Sequence, residues 1–182
     1  TFRDLDDVGQ MVAASDAGGA AVVIGGGLLG LEAAYGLAKR GMKATVVHLM
    51  DVLMEPQLDS SAGHLLTQAL VERGVETVLS AQSEEILGQD GKVAGLRLKD
   101  GRVLPCSILV MAVGIRPSVG LAKDANLPVG RGVIVDDQMR TGDVDIFAVG
   151  ECAEHRGVAY GLVAPIWEMC RTLAVAMTGD DT

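Results

Sequence analysis

The sequence predicts an α/β fold in which a parallel sheet with helical crossovers carries a three-stranded antiparallel meander. Short apolar runs alternate with helical patterns over residues 20–79, which is typical of a parallel sheet. Asp-Gly turns at residues 90–91 and 100–101 then separate short alternating runs, which is typical of antiparallel hairpins. A further apolar run at residues 107–113 leads into GIRP, where we expect the first domain to end.

The composition allows a packed core and argues against two classes of partner. The chain has 182 residues, of which 49% are hydrophobic, enough for one domain and an additional segment. Its formal net charge of −9 argues against nucleic acid, because nucleic-acid binders need a basic surface to release counterions. No apolar stretch reaches the roughly 18 to 20 residues of a membrane helix, and no signal-peptide pattern opens the chain. We therefore expect a soluble, cytoplasmic chain that does not contact a membrane.

The cysteines indicate neither a disulfide framework nor a metal centre. Cys106, Cys152 and Cys170 are odd in number and widely spaced, and the sequence has three histidines and no CxxC pair. Each cysteine is predicted to be a buried, reduced thiol, and no residue is assigned as a metal ligand.

The first βαβ unit is defined by its apolar runs and by a glycine after its helix. An amphipathic pattern from Leu5 to Val12 predicts an entry helix, and we expect the chain to be a piece of a longer protein. Residues 20–24 are a predicted buried strand and residues 28–39 a predicted helix, after which Gly41 occupies the position that follows the C-cap. Residues 43–49 are the second predicted strand.

A second helix and a third strand repeat this rhythm. Asp-Ser-Ser at residues 59–61 supplies N-cap residues, and Glu-Arg-Gly at residues 72–74 ends the helix. Residues 75–79 are the third strand. The side chains that this helix is predicted to bury are Ala62, Leu65, Leu66, Ala69 and Leu70.

The remaining elements are shorter. Predicted meander strands cover residues 84–87, 93–98 and 103–104, and are followed by the apolar strand of residues 107–113. The elements predicted after residue 117 are a short helix at 121–125, strands at 132–135 and 145–149, and a helix at 164–177.

A glycine motif lies between the first strand and the first crossover helix. Residues 25–30 read GGGLLG and satisfy G-x-G-x-x-G, the fingerprint of a Rossmann-like dinucleotide-binding turn. Gly25 would make the tight turn, Gly27 would let a pyrophosphate approach, and Gly30 would allow close helix–strand contact. The helix N-terminus would offer unpaired N–H groups and a positive dipole end to the diphosphate.

The residue expected to accept hydrogen bonds from the adenosine ribose is not the usual carboxylate. His48 stands at the end of the second strand, about 20 residues beyond the motif. Three roles fit His48: it would hydrogen-bond a ribose hydroxyl, favour a 2′-phosphate when protonated, or simply cap the strand in solvent. Asp51, three residues later, offers a substitute carboxylate. The sequence therefore does not decide between NADH and NADPH.

Three ordered motifs resemble the pyridine-nucleotide-dependent flavoprotein reductases, a family built from two Rossmann-type domains. VVIGGGLLGLEAA resembles the family's nucleotide-domain fingerprint, SILVMAVGIRPS its crossover back to the FAD domain, and VDIFAVGEC its FAD-contacting strand end. Within the family, LMEPQLD and AVGECAEHRGVAYGLVAPIWEM are most similar to the nitrite reductase large subunits. Gly-Glu-Cys departs here from the Gly-Asp pair of the wider family.

The resemblance implies a division of the chain and a function. Residues 1–18 would be an entry helix and linker, residues 19–113 an NAD(P)H-binding domain, and residues 114–182 the returning segment of an FAD-binding domain. The implied function is to position the nicotinamide for hydride transfer to FAD, with electrons passing on to nitrite reduction in the parent enzyme, whereas the fragment alone would be inactive. Implied partners are the missing half of the FAD domain, an iron–sulfur and sirohaem region, and, through exposed apolar surface, a second copy of the chain.

The motif and the resemblance together imply cofactor-binding residues and no catalytic side chain. Glu32 resembles the family glutamate that orients the nicotinamide, and Glu151 resembles the acidic group near FAD. The predicted cofactor-binding set is Gly25, Gly26, Gly27, Leu28, Leu29, Gly30, Glu32, His48, Ala112, Gly114, Gly150 and Glu151.

Three alternatives remain open from the sequence. The first alternative is the corresponding domain of a ferredoxin or rubredoxin reductase, although those enzymes normally carry Gly-Asp, and Gly-Glu-Cys and GLVAP favour nitrite reductase. The chain would also serve as a non-catalytic module that senses a nucleotide. Finally, the glycine loop would hold FAD itself, against which the absent ribose carboxylate counts.

Overall fold

The computed structural model describes residues 1–179, and the chain forms two compact units. Unit 1 is Thr1–Gly114, and unit 2 is Ile115–Thr182. No helix within the described part of the chain has both the length and the apolar character needed to cross a membrane.

Unit 1 alternates helices and strands before it turns into hairpins. Its elements in chain order are α1 (Leu5–Asp16), β1 (Ala20–Ile24), α2 (Leu28–Lys39), β2 (Lys43–Val47), α3 (Ser60–Glu72), β3 (Val75–Val78), β4 (Ser83–Gln89), β5 (Lys92–Leu98), β6 (Val103–Pro105) and β7 (Ile108–Met111).

The predicted α/β fold class is confirmed. Strands β3, β2, β1 and β7 form a four-stranded parallel sheet in that order, and β4, β5 and β6 form a separate antiparallel sheet. The turn between β4 and β5 places Asp90 and Gly91 at φ of 51° and 75°, as a hairpin with two left-handed central residues requires. The predicted strands 43–49, 75–79 and 107–113 are shorter in the structure than their apolar runs.

The two faces of the parallel sheet pack against different partners because successive strand residues point to opposite sides. In β1, Ala21 and Val23 join a buried cluster with residues of all three helices, whereas Val22 joins a second cluster with Leu96 and Leu98 of the meander. The helices therefore cover one face of the sheet and the meander covers the other. The carboxyl ends of the strands are left to the connecting loops.

One predicted contact of α3 is wrong. Leu65 is 67% exposed, while Gly63 and Leu70 are the buried residues of this helix. A Cβ at Gly63 would come within 2.1 Å of the Val52 side chain, so the helix approaches the preceding loop closely at this glycine. Leu65 follows Gly63 by about 200° around the helix and consequently points away from the core. The N-cap is Asp59, whose side chain accepts the Ala62 N–H at 2.8 Å.

Unit 2 is built from short elements and one long helix. Its elements are α4 (Gly120–Asp124), β8 (Val133–Val135), β9 (Ala153–His155), β10 (Val158–Ala159) and α5 (Val163–Thr178). The three strands form one sheet in which β9 lies between β8 and β10. Helices α4 and α5 and strand β8 were expected from the sequence, whereas β9 and β10 are too short to give a pattern.

The strand predicted at residues 145–149 is wrong. Only Phe147 pairs there, in an isolated bridge with Arg140, within the described chain. Asp143 causes this, because its side chain accepts the Asp145 N–H at 2.9 Å and its carbonyl accepts the Ile146 N–H at 3.2 Å. Such local bonds form a turn in place of a ladder.

Candidate functional site

The turn after β1 can be made only by glycine at its first position. Gly25 has φ of +116°, and a Cβ there would lie 2.2 Å from the Ala112 carbonyl oxygen. Its N–H donates to the Val47 carbonyl at 2.9 Å, and the Ala112 N–H donates to the Ile24 carbonyl at 2.8 Å. The turn therefore joins the carboxyl ends of β1, β2 and β7 at one point of the sheet.

The other motif glycines have opposite surroundings. A Cβ at Gly30 would lie 2.0 Å from the Gly25 carbonyl oxygen, so the first turn of α2 packs directly on the loop. Gly27 is the N-cap of α2, and a Cβ added to it would meet no heavy atom of residues 1–179 within 4 Å. Gly30 is thus closed by the protein, whereas Gly27 faces open space.

The open side of Gly27 is also the N-terminal end of α2. First-turn N–H groups of an α-helix have no carbonyl partner in the helix, and they carry the positive end of its dipole. Here they belong to Leu28, Leu29 and Gly30, and both leucine side chains are about half exposed. Glu32 lies on the exposed surface of the same helix, one turn further along. The arrangement can bind an anionic group through the backbone.

His48 is a structural part of the loop. Its Nδ1 accepts the Gly26 N–H at 3.0 Å, and its Nε2 lies 3.0 Å from the Glu55 Oε2. The Gly26 carbonyl accepts the Met54 N–H at 3.0 Å, and a Cβ at Gly26 would clash with Leu53 at 2.5 Å. With a side chain only 11% exposed, His48 is not the solvent-facing strand cap that the sequence left open.

Glu55 is the residue of this region that the sequence reasoning missed. It follows His48 by seven residues along a segment of turns, where no helical or strand period relates the two positions. Asp51, the alternative carboxylate, is exposed. Met54 adopts a left-handed φ of 58°, which helps the chain fold back toward the glycine loop.

The predicted site residues divide between the two units. The motif glycines, His48 and Ala112 meet at the carboxyl edge of the parallel sheet, and Gly114 follows Ala112 at a φ of +98°. Gly150 and Glu151 belong to unit 2, where Gly150 has a φ of +96° and its carbonyl accepts the Ala153 N–H at 3.1 Å. Glu151 is partly buried in this turn. Across residues 1–179 no cluster of three or more His, Cys, Asp or Glu side chains has the arrangement of a metal site.

Comparison with known proteins places this geometry among nucleotide-linked reductases. Residues 1–174 match the profile of the pyridine nucleotide-disulphide oxidoreductases. A protein named nitrite reductase [NAD(P)H], from Bacillus subtilis strain 168, is 53% identical over 181 residues, which are 100% of this chain and 22% of that protein. The assimilatory nitrate reductase electron transfer subunit of the same organism is 42% identical over 98% of this chain and 23% of its own length.

A solved structure shows the same fold. The ferredoxin reductase for the CYP199A2 system from Rhodopseudomonas palustris superposes with a TM-score of 0.93 at 30% identity, over 99% of this chain and 46% of that one. The chain therefore spans about a fifth of the length of the two curated relatives, and just under half of this structure.

Proposed function

The chain belongs to the pyridine nucleotide-disulphide oxidoreductase family, and we propose that unit 1 binds NAD(P)H and presents its nicotinamide to a flavin. The observation that carries this proposal is the open space at Gly27, directly before the first turn of α2. A diphosphate placed there would meet several backbone N–H groups and the positive helix end together.

The surroundings of the loop fit a dinucleotide. Gly25 and Gly30 are closed by protein atoms and build the turn, so only Gly27 leaves room for a group that the protein does not itself supply. The N–H groups of Leu28, Leu29 and Gly30 would hold the diphosphate, and Glu32 would orient the nicotinamide. The N–H of Gly26 is already donated to His48, so its role would be to shape the loop.

The chemistry of the reaction comes from the cofactors. When bound, NAD(P)H would supply a hydride from its nicotinamide ring, and FAD would be its acceptor. The residues of this chain would bind and orient the nucleotide, and none would act as acid, base or nucleophile. Gly150 and Glu151 of unit 2 would contact FAD, and unit 2 would be the returning segment of an FAD domain.

The name of the 53% identical relative directs the proposal to nitrite reduction. In a longer parent protein, electrons would pass from FAD to an iron–sulfur and sirohaem region that reduces nitrite. We also propose a cytoplasmic location, because all three cysteines are free thiols, as expected in a reducing compartment. The missing FAD half-domain and a second copy of the chain are the proposed protein partners.

An electron-transfer reductase is the second candidate function. The ferredoxin reductase with a TM-score of 0.93 shares nearly the whole fold, so a small iron–sulfur protein would be an alternative electron acceptor. A module that senses nucleotide without transferring electrons is a third candidate. These candidates differ in the acceptor and share the nucleotide site.

Calorimetric titration of the full 182-residue chain with NADH, NADPH and FAD, each separately, tests the proposed site. We expect a colourless protein that binds a nicotinamide dinucleotide, with the affinity lowered at least about tenfold by Gly27→Val because the side chain fills the open space. Gly36→Ala is the control, since it lies on the exposed side of α2. Binding of FAD and of neither nicotinamide nucleotide, by a yellow protein, would contradict the proposal and indicate that the loop holds FAD.

A further inference from the structure

The carboxylate of Glu55 lies beside the glycine loop, held there by His48. We propose that Glu55 is the specificity-determining residue of the nucleotide site, and that it selects NADH over NADPH. It would accept a hydrogen bond from the adenosine ribose 2′-hydroxyl and repel a 2′-phosphate. This inference rests on the proposed function, because it names which dinucleotide the same site takes.

The hydrogen bonds of His48 fix where its proton is. Because the Gly26 N–H donates to Nδ1, that nitrogen carries no proton, and the proton of the neutral ring is on Nε2. Nε2 therefore donates to the Glu55 Oε2 at 3.0 Å. A proton on Nδ1 would remove the acceptor of the Gly26 N–H, so this hydrogen bond fixes the tautomer of the neutral ring.

The second oxygen of Glu55 is available to a ligand. Oε1 makes no hydrogen bond within residues 1–179, and the side chain is 34% exposed, compared with 11% for His48. A carboxylate that is anchored through one oxygen loses less side-chain entropy when the other oxygen accepts a ligand hydroxyl. His48 is accordingly a positioning residue, and Glu55 is the residue that would touch the nucleotide.

The position of this pair corresponds to the ribose end of a dinucleotide site. In doubly wound folds a carboxylate at the end of the second strand bonds the ribose hydroxyls of NAD, while a nearby arginine accommodates the 2′-phosphate of NADP. His48 follows β2 immediately and occupies the place of that carboxylate. The His48 ring links the end of β2 to Glu55 through a hydrogen bond. Glu55 supplies the negative charge that His48 does not.

The charges around this edge of the sheet oppose a phosphate. The loops that follow β1, β2 and β3 contain the carboxylates of Asp51, Glu55 and Asp59 and no lysine or arginine. Lys43 begins β2 and therefore lies at the opposite end of that strand. A dianionic 2′-phosphate would meet a carboxylate without a compensating cation in these loops.

The test is direct binding of NADH and NADPH to the full chain, measured by calorimetry at fixed ionic strength. We expect NADH to bind at least about tenfold more tightly, as a charge-assisted hydrogen bond and a like-charge repulsion together imply. Glu55→Gln should bring the two dissociation constants to within about threefold of each other, and Glu55→Arg should reverse the preference. Glu72→Gln is the control, because it removes an exposed carboxylate at the end of α3 that leads into the start of β3, at the opposite edge of the sheet, and it should leave the ratio unchanged.

Two substitutions of His48 separate positioning from folding. Asn keeps an acceptor near Gly26 but cannot reach Glu55, whereas Gln can reach Glu55 with its amide N–H. His48→Asn should therefore lose the selectivity for NADH, and His48→Gln should retain more of it. Rising salt should narrow the difference between the NADH and NADPH dissociation constants of the unaltered chain, because it screens the repulsion of the 2′-phosphate, and should narrow it less in Glu55→Gln.

These binding measurements distinguish the role of Glu55 from the proposed nucleotide-binding function. An unchanged NADH to NADPH ratio in Glu55→Gln, or a preference of the unaltered chain for NADPH, overturns the role of Glu55 and leaves the nicotinamide site intact. Failure of both nucleotides to bind the folded, unaltered chain overturns the proposed function and this inference with it.

Discussion

Helices α2 and α5 differ sharply in how much of their apolar surface they bury. Helix α2 of unit 1 has 12 residues and buries Gly30, Leu31, Ala33, Ala34 and Leu37. Helix α5 of unit 2 has 16 residues, and Met169 is its buried residue in the described range. Unit 1 therefore completes its own core, whereas unit 2 leaves much of its longest helix exposed.

The same difference holds for the cores as a whole. Unit 1 has a buried cluster on each face of its parallel sheet, and the main cluster of unit 2 is limited to Val135, Met139, Ala153 and Met169. Val163 and Trp167 of α5 are 70% and 62% exposed. We infer that unit 1 provides most of the folding free energy of this chain and the rigid frame for its glycine loop.

Gly25→Ala should cause the largest loss of unfolding free energy, because it alters the turn on which the core of unit 1 depends. The substitution places a Cβ in a left-handed backbone conformation, 2.2 Å from the Ala112 carbonyl oxygen. We expect unit 1 to lose about 3 to 5 kcal/mol of unfolding free energy, from strain and overpacking together, as measured by urea denaturation. Gly36→Ala is the matched control, and should be neutral or stabilising by up to about 1 kcal/mol. Equal stability of Gly25→Ala and the unaltered chain would show that the turn has another conformation.

Paired truncations compare the two helices directly. Leu37 in α2 is 1% exposed, and Leu37→Ala should cost about 2 to 5 kcal/mol because it leaves a cavity. Trp167→Ala in α5 removes a larger side chain, yet we expect a change within about 0.5 kcal/mol because the side chain is mostly exposed. Thermal and urea unfolding of both variants measure this. A larger loss for Trp167→Ala would mean that α5 is covered in solution.

The thiol of Cys106 reports on the core between the sheet and the meander. Burial raises the pKa of this thiol above its usual range, so less thiolate is present at a given pH. At pH 8 we expect Ellman's reagent to label Cys152 and Cys170, which are partly exposed, at least about tenfold faster than Cys106. Denaturant should remove the difference. Rapid labelling of Cys106 in the native protein would indicate that the meander opens readily.

A surface ion pair of unit 2 should give the smallest effect. The hydrogen bond from Arg156, with a smaller contribution from that of His155, lowers the pKa of Asp137 to about 2 from its ordinary 3.8. A lowered folded-state pKa means that this stabilisation is complete above the unfolded value and is lost as the pH falls through about 2. In an NMR titration, Arg156→Gln should raise the Asp137 pKa toward 3.8, with little change in stability at pH 7. An unchanged pKa would show that the pair does not form in solution.

The sequence predicted unit 1 better than unit 2 because its boundaries are set by backbone chemistry. Strand β1 and helix α2 have the bounds that were predicted, since Gly25 forces a turn between them and Gly41 ends the helix at a φ of +88°. The predicted strand at 145–149 was wrong because local bonds of Asp143 outweigh an apolar pattern. Strands β9 and β10 depend on pairing with each other and with β8, which no local pattern encodes.

At the candidate site, the motif predicted the turn but not the contacts that complete it. The spacing of Gly25, Gly27 and Gly30 predicts what surrounds each glycine. In the structure, protein atoms close around Gly25 and Gly30, whereas Gly27 faces open space. The bond from His48 to Glu55 depends on how a segment of turns folds back, and this has no period in sequence. The roles of these residues in binding, and those of Gly150 and Glu151, stay predictions.

The proposal that the glycine loop of unit 1 binds NAD(P)H is tested most directly by a map of where the nucleotide binds. An NMR titration of the ¹⁵N-labelled chain with NADH follows the amides of both units in one experiment. We expect the largest shifts at Leu28, Leu29 and Gly30, whose N–H groups form the first turn of α2 beside the open space at Gly27. Shifts confined to Gly150 and its neighbours in unit 2, with the glycine loop unchanged, would contradict the proposal.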